Sequence, residues 1–456
     1  MSVVMKFGGT SVADADAIGR VASIVRRQIQ LDPEEAPVVV VSALSGVTDR
    51  LIAVARAAED GQGDAAASAL AELLDRHVEI AARLTSGSAQ AELLADVRRE
   101  FDGLIGLVQA LAVLREVSPR SLDAVVAVGE LASSRMVAAA LLERRIPAAW
   151  MDARRVMRTD AEHTVAVPDL IDTCDRALEH VAPLLAQGKV VVLGGFIGAT
   201  ANNITTTLGR GGSDYSAAIF GSCLDADEIQ IWTDVDGMLT ADPRVVAQPR
   251  VVPRLSFAEA SELAYFGAKV LHPSTILPAV SKNIPVRILN SHRPDNPGTT
   301  ITRETGALDG QLSAIACKRD VTVIDITSTR MLMAHGFLRR LFEVFERFKT
   351  AVDVVTTSEV SVSVTVDDTR RLEAIADNLR NFADVACERE MAIICAVGEN
   401  LRMDATLFGR AVTALERIPL RLVSQAASRR NITFVLRDAD VPHAMTRLHE
   451  QFFGRA

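Results

Sequence analysis

Residues 3–12 read VVMKFGGTSV. Val3–Phe7 has the β-branched, apolar character of a buried strand. The pair Gly8-Gly9 then breaks the strand, and Ile18, Val21, Val25 and Ile29 recur on one face of a helix predicted over Ala15–Ile29. A strand running through a glycine turn into a helix is how a parallel α/β layer begins. At such a turn the backbone can approach a ligand closely, and the helix end offers unpaired N–H groups to phosphate. Lys6 adds a mobile positive charge at the strand end. Spacing alone leaves two readings open, a phosphate site or a tight turn beside a surface lysine. The pattern is not GxxxxGK[ST], so it is no Walker loop.

Outward from this stretch, further strands are predicted at Val38–Ser42, Val125–Val128, Val190–Gly194, Ile229–Thr233 and Pro285–Leu289, with amphipathic helices between them. Residues 70–118 read as an Ala/Leu-rich helical insertion. The alternation predicts a mostly parallel sheet with helices on both faces. His292–Gly310, rich in Pro, Gly and Thr, reads as a boundary between two halves. Beyond it, AVDVVTTSEVSVSVTVDD (351–368) matches PLRLVSQAASRRNITFVLRD (419–438), which implies an internal duplication of a strand–helix unit. The second copy lacks its own first strand, and Leu312–Lys318 could supply it from before the first copy.

Length and composition bound the answer. With 456 residues, two or three domains fit. Hydrophobic residues make up 49% and aromatics only 4%, which suits an aliphatic α/β core. The net charge is −9, and no basic stripe carries interleaved aromatics, so nucleic acid is not an expected partner. No basic-then-apolar leader opens the chain, and no uncharged apolar run nears the roughly 18 residues of a membrane span, so a cytoplasmic protein without membrane contact is expected. Cys174, Cys223, Cys317, Cys387 and Cys395 are scattered without a CxxC pair and read as reduced core residues. With no HExxH and no His/Cys cluster, no protein-held metal is expected.

Three more motifs carry chemistry. Gly209-Arg210-Gly211-Gly212-Ser213-Asp214 is a second glycine turn before a helix, with Arg210 able to clamp a carboxylate or phosphate and Asp214 able to cap the helix. Trp232-Thr233-Asp234-Val235-Asp236-Gly237 ends a strand, and Asp242-Pro243-Arg244 follows. Phe266-Gly267-Ala268-Lys269-Val270-Leu271-His272-Pro273 reads by itself as a helix end with an ordinary lysine.

Together, KFGGTSV, SALSGVT, VGE, GFIG, TTTLGRGGSDYSAA, WTDVDGMLTADPR and FGAKVLHP, in this order across residues 1–290, resemble the aspartokinases of the amino acid kinase family. GFLRRLFE and VDVVTTSEVSVSVTV extend the likeness into the tail, to the monofunctional, lysine-sensitive type. The resemblance implies an amino acid kinase fold over 1–291, a linker over 292–311, and an α+β, ferredoxin-like pair of ACT domains over 312–456. In that pair the first domain, about 321–390, would be inserted after the first strand of the second, about 312–320 plus 391–456.

The activity implied is transfer of the ATP γ-phosphoryl group to the side-chain carboxylate of L-aspartate, the first step of lysine, threonine and methionine biosynthesis. Mg²⁺ is expected on the ATP oxygens. By the same resemblance Lys6 and Asp214 serve the transfer, and Ser42, Thr48, Glu130, Phe196 and Arg210 hold the substrate, with Glu130 on its ammonium and Arg210 on its α-carboxylate. Gly8, Gly9, Thr10, Ser11, Gly211, Gly212, Ser213, Thr233, Asp234, Leu239, Arg244, Lys269 and Val270, with Lys6, correspond to the nucleotide site; Leu239 stands where relatives often have Tyr. Met331, Phe337, Leu338, Val352, Asp353, Ser358 and Glu359 match an effector site for lysine, or threonine, in a dimer or tetramer joined through the ACT domains.

Overall fold

The computed structural model describes residues 2–267, 273–304, 311–331, 335–425 and 429–454. The chain divides into two compact units. The first takes in Met1–Met238, Pro253–Phe257 and Val270–Thr305; the second takes in Leu239–Val252, Ala258–Lys269 and Gly306–Ala456.

The first unit carries strands β1 (Val3–Phe7), β2 (Val38–Val41), β3 (Ala148–Met151), β4 (Arg158–Thr159), β5 (Val190–Gly194), β6 (Ile197–Thr200), β7 (Thr205–Thr207), β8 (Glu228–Thr233), β9 (Arg254–Ser256), β10 (Val286–Asn290) and β11 (Thr299–Thr302). Eight of them form one sheet in the order β3-β5-β2-β1-β8-β10-β11-β9. All its pairings are parallel except β10 with β11. β1, β2 and β5 are buried along their whole length, which is why they read as unbroken apolar runs without alternation. The helix Ala15–Leu31 packs Ile18, Val21 and Val25 onto this sheet, and Asp14 caps it by accepting from the Ala17 N–H at 2.8 Å.

The structure departs from the sequence reading at Val125–Val128. These residues lie inside the helix Pro119–Glu143, started by a Ser118 side chain that accepts from the Ser121 N–H and by proline in its first turn. Val125, Val126 and Val128 are all buried, so no polar face marks the helical period and the valines read as a strand. By length and composition this helix could cross a membrane, yet 83% of its most apolar window is packed inside the protein.

Two further differences concern cysteines and boundaries. Cys174 and Cys223 form a disulfide, where reduced thiols were expected; the fold brings their Cα atoms to 4.6 Å across 49 residues, a meeting that spacing cannot reveal. Within the stretch read as a boundary, Thr299–Thr302 is β11, paired with both β10 and β9 of the first unit.

The second unit is built on an antiparallel sheet of β12 (Gln311–Thr327), β13 (Val355–Thr357), β14 (Ser361–Val366), β15 (Asp384–Glu399), β16 (Leu422–Ser424) and β17 (Asn431–Arg437), in the order β13-β14-β12-β15-β17-β16. β12 and β15 are each two strands in series. Their register shifts between Lys318 and Val321, where Asp320 and Glu390 both take positive φ of 58°. Below the shift Gln311–Lys318 pairs with the part of β15 that adjoins β17, and above it Thr322–Thr327 pairs with β14. Each half covers its own core, one around Ile324, Leu341, Phe345 and Val364, the other around Ile394, Leu407, Phe434 and Met445.

His77, in the helix Gly63–Leu84, is fully buried against Phe101, with Nδ1 2.6 Å from the Leu73 carbonyl and Nε2 unpartnered. Burial pulls its imidazole down to about 4. The unfolded chain protonates it near 6.5 and the folded chain near 4, so stability is full above about 6.5 and is lost as pH falls toward 4. Each pH unit in that window should cost about 1.4 kcal/mol at this one site. Urea denaturation at pH 7.5, 6 and 5 should show this slope in the wild type, and a flatter one in His77→Leu. Equal slopes would remove His77 as its source.

Candidate active site

The C-terminal ends of β1, β2 and β8 share one edge of the sheet. β1 delivers Lys6. The chain leaving β2 delivers Ser42 and, at the second position of the helix Val47–Glu59, Thr48. The helix Gly212–Cys223 opens at the same place, with no side chain capping its first turn. A cavity of about 320 Å³ lies there, lined by Lys6, Ser42, Thr48, Glu130, Phe196 and the run Gly209–Asp214.

Charge inside the cavity is arranged in two ways. Lys6 Nζ lies 2.7 Å from Asp214 Oδ1, an ion contact without the alignment of a hydrogen bond, and both side chains are nearly buried. Glu130 is buried and forms no ion pair among the described residues. Its Oε1 accepts from the Ala43 N–H at 3.1 Å, while Oε2 is buried without a hydrogen-bond partner. Burial pushes this carboxyl up to about 8, and the Ala43 N–H offsets only part of that. Arg210 is exposed among the lining residues.

The wall is tightly built. Phe196 sits at φ 66°, a left-handed conformation that a bulky residue adopts only when its surroundings fix it. Its N–H donates to Ser216 Oγ at 3.0 Å, and that hydroxyl donates to the Gly212 carbonyl at 2.9 Å. A Cβ on Gly212 would fall 2.7 Å from the Phe196 ring, so only glycine lets these two segments touch.

The remaining candidates separate. Thr10 is exposed, and Ser213 lines the cavity. Ser11, which the resemblance puts at the nucleotide, has its side chain turned into the fold. It is buried, with Oγ 2.8 Å from Ser291 Oγ and 3.3 Å from the Trp232 carbonyl, so it ties β1 to β8. Gly8 likewise commits its N–H to the Trp232 carbonyl at 3.1 Å, leaving Gly9 and Thr10 to offer N–H groups at this turn. Thr233 donates to Asp234 at the end of β8. In the second unit Leu239 bridges to Val251, and Arg244 is held by Asp242 through two contacts, 3.0 and 2.6 Å. Lys269 and Val270 lie outside the described residues. Ala43, Ser216 and Asp123 were not legible as site residues; Asp123 precedes Glu130 by seven positions, a helical signal hidden by the strand reading of Val125–Val128.

Among the effector candidates, Met331, Phe337 and Val352 pack against the core of the first C-terminal half, Leu338 is exposed at the start of the helix Phe337–Arg347, and Ser358 and Glu359 are exposed. Asp353 is buried: Oδ1 accepts from Lys318 Nζ at 2.8 Å and from the Tyr265 hydroxyl at 2.7 Å. Lys318 also pairs with Asp367 at 2.7 Å. At the matching place in the second copy, Arg421 is held by Glu388 at 3.0 Å and by Asp325.

Comparison with known proteins places this arrangement. Residues 1–290 match the model of the amino acid kinase family, and residues 394–452 match an ACT domain. The chain is 36% identical to lysine-sensitive aspartokinase 3 of Escherichia coli, over 99% of each chain. The chain belongs to the aspartokinases. It is an ATP-dependent kinase of that family. Its structure is similar to that of E. coli aspartokinase III in complex with aspartate and ADP, with a TM-score of 0.84 at 35% identity over 99% of this chain and 100% of that one. Against the same enzyme in complex with lysine and aspartate the TM-score is 0.81 at 36% identity, over 99% of both chains.

In an aspartokinase of this geometry, Lys6 is a nearly buried cation lining the cavity beside Asp214. Lys6→Met should fold, since the ion pair it loses is local, and its turnover should fall on the order of 10²–10³-fold, as for other preorganised charges. Steady-state ADP release checks this; near-normal turnover would take Lys6 out of the reaction.

Proposed function

We propose that this aspartokinase binds L-aspartate in the 320 Å³ cavity and transfers to it the γ-phosphoryl group of ATP, giving 4-phospho-L-aspartate and ADP, under feedback by lysine. Glu130 carries the substrate assignment. It is a buried carboxylate with one oxygen unpartnered and no cation supplied by the described residues, so it calls for a cation from the ligand. Aspartate brings one ammonium and two carboxylates. The cavity offers Glu130 to the ammonium, Arg210 to the α-carboxylate and Lys6 to the reacting end.

The chemistry then needs no general base. The side-chain carboxylate is ionised at neutral pH and attacks phosphorus directly; the Pγ–O bond to the β-phosphate breaks, and ADP leaves with that electron pair. Lys6, steadied by Asp214, stabilises charge on the transferring group, and the N–H groups that open the helix Gly212–Cys223 face the same space. Among the described residues no cluster of three His, Cys, Asp or Glu could hold a metal. Mg²⁺ would therefore depend on phosphate oxygens, with Asp214 the carboxylate at hand, and would neutralise charge between the phosphates.

For feedback, lysine binds beside Phe337–Arg347 with its ammonium directed to Asp353, in a dimer or tetramer joined through the C-terminal units. Asp353 is already held by Lys318, so an effector ammonium there replaces an internal one. Arg421 occupies the equivalent place in the second copy and repels a cation, which leaves one working site per chain. Asp353→Ala should keep its turnover and lose most of its lysine sensitivity, a coupling typically of about 1–3 kcal/mol. Inhibition titrations with lysine and threonine test it; unchanged lysine inhibition in the mutant, or a wild type inhibited by threonine alone, would defeat the assignment.

The substrate assignment has a pH signature. Glu130 is protonated in the free enzyme below about 8 and must be ionised to pair with the ammonium. Aspartate kcat/KM should fall up to tenfold per pH unit below about 8 and level off above it. Glu130→Gln should be uniformly poor and lack that inflection. A wild-type profile flat between pH 6 and 8 would remove Glu130 from ammonium binding.

A further inference from the structure

We propose that Asp123, a buried carboxylate outside the cavity wall, is a positioning residue for the aspartate pocket, holding the segment that carries Arg210 to the helix that carries Glu130. The inference rests on the reading of Arg210 and Glu130 as the two ends of the aspartate clamp.

Asp123 is completely buried in the helix Pro119–Glu143. A carboxylate in that position is costly unless its oxygens are satisfied, and here the contacts come from two separate stretches of the chain. Oδ1 accepts from the Thr207 hydroxyl at 2.5 Å. Both oxygens accept from the Thr164 N–H at 3.1 Å, and His163 Nδ1 lies 2.7 Å from Oδ2. Two elements distant in sequence, the 163–164 loop and β7, are thus drawn to one side chain.

Those elements lead directly to Arg210. Thr207 ends β7, three residues before it. Thr164 sits at φ 72°, a conformation a β-branched residue takes only under constraint, and the two bonds to Asp123 supply that constraint. The carbonyl of Thr164 is pressed against Gly209, where a Cβ would lie 3.2 Å away, and Gly209 itself has φ +74°. The Ala166 N–H donates to the Thr207 carbonyl at 2.9 Å and zips the loop to β7. The turn that aims Arg210 is therefore bounded on both sides by groups that Asp123 holds.

The same helix supplies the other end of the clamp. Glu130 follows Asp123 by seven residues, about two helical turns, so both carboxylates project from one face. Asp123 thereby fixes the Arg210 turn relative to Glu130, the separation a ligand with an ammonium and an α-carboxylate must match. Positioning of this kind acts on binding of one substrate and leaves the other alone.

Thr207 gives the cleanest test, because Thr207→Val keeps the shape and removes only the hydroxyl that Asp123 receives. Thr207→Val should raise the aspartate KM on the order of tenfold, the usual effect of losing a hydrogen bond to a charged group, with ATP KM unchanged and an unchanged far-UV spectrum. Thr207→Ser, which keeps the hydroxyl, should restore the wild-type aspartate KM. Asp123→Asn should resemble Thr207→Val if it folds. In an Arg210→Ala background Thr207→Val should add nothing further, since the brace acts through Arg210. A wild-type aspartate KM in Thr207→Val, an equal rise for both substrates, or full additivity with Arg210→Ala would each overturn the proposal. Should Arg210→Ala itself leave the aspartate KM unchanged, the clamp reading fails first; should it raise that KM while Thr207→Val does not, the brace alone fails.

Discussion

A parallel sheet sends the C-terminal ends of its strands to one edge, and the catalytic unit depends on that constraint. From β1 the order runs to β2, β5 and β3 on one side and to β8 and β10 on the other. Connections therefore diverge at β1, and a crevice opens at the strand ends, where open α/β sheets bind ligands. Lys6 stands at that point, and the helix Gly212–Cys223 is brought to it from more than 200 residues away so that Asp214 meets Lys6. The ion pair is a consequence of tertiary folding: the first glycine turn follows β1 of the parallel sheet, the second follows β7 of the separate sheet β4-β6-β7, and neither turn alone would make a site.

How much of this was readable follows from which faces are polar. β1, β2, β5, β8 and β10 were legible because buried parallel strands leave short valine and isoleucine runs between glycine turns. The helix Pro119–Glu143 was partly lost for the converse reason. It passes through the interior and shows no polar stripe, so Val125–Val128 resembled the strands around it. That misreading concealed the helical spacing of Asp123 and Glu130. The lining residues Ser42, Thr48, Phe196 and Arg210 were reached through whole motifs, since no local pattern marks any of them. Gly8 and Ser11, in the KFGGTS block, also serve the fold: Gly8 bonds Trp232 of β8, and Ser11 bonds Trp232 and Ser291, the residue after β10. Cys174 and Cys223 escaped for a third reason, because their meeting is decided wholly by how two helices pack.

In the second unit the duplication is visible as two long strands that change register halfway. The bulges at Asp320 and Glu390 let one continuous strand serve two cores without a loop between them. The two copies then diverge in charge. Around Asp353 the arrangement is an acid with internal basic and hydroxyl partners, Lys318 and Tyr265; around Arg421 it is a base with Asp325 and Glu388. A repeat that keeps its backbone and inverts the sign at one position can retain packing in both halves while confining cation recognition to one.

Three acids in the catalytic unit show how partners, not residue type, set the role. Asp214 faces Lys6 across an ion contact, so its charge is matched before any ligand arrives. Asp123 is more deeply buried and is surrounded by donors, Thr207, Thr164 and His163, which satisfy it and make it a fixture of the fold. Glu130 accepts from the Ala43 N–H, its Oε2 has no partner among the described residues, and burial pushes its carboxyl up to about 8. The first two meet a cation or donors within the folded chain; among the described residues Glu130 Oε2 meets none. Burial therefore acts most strongly on the acid that its own fold leaves unsatisfied, while the satisfied ones hold separate elements together.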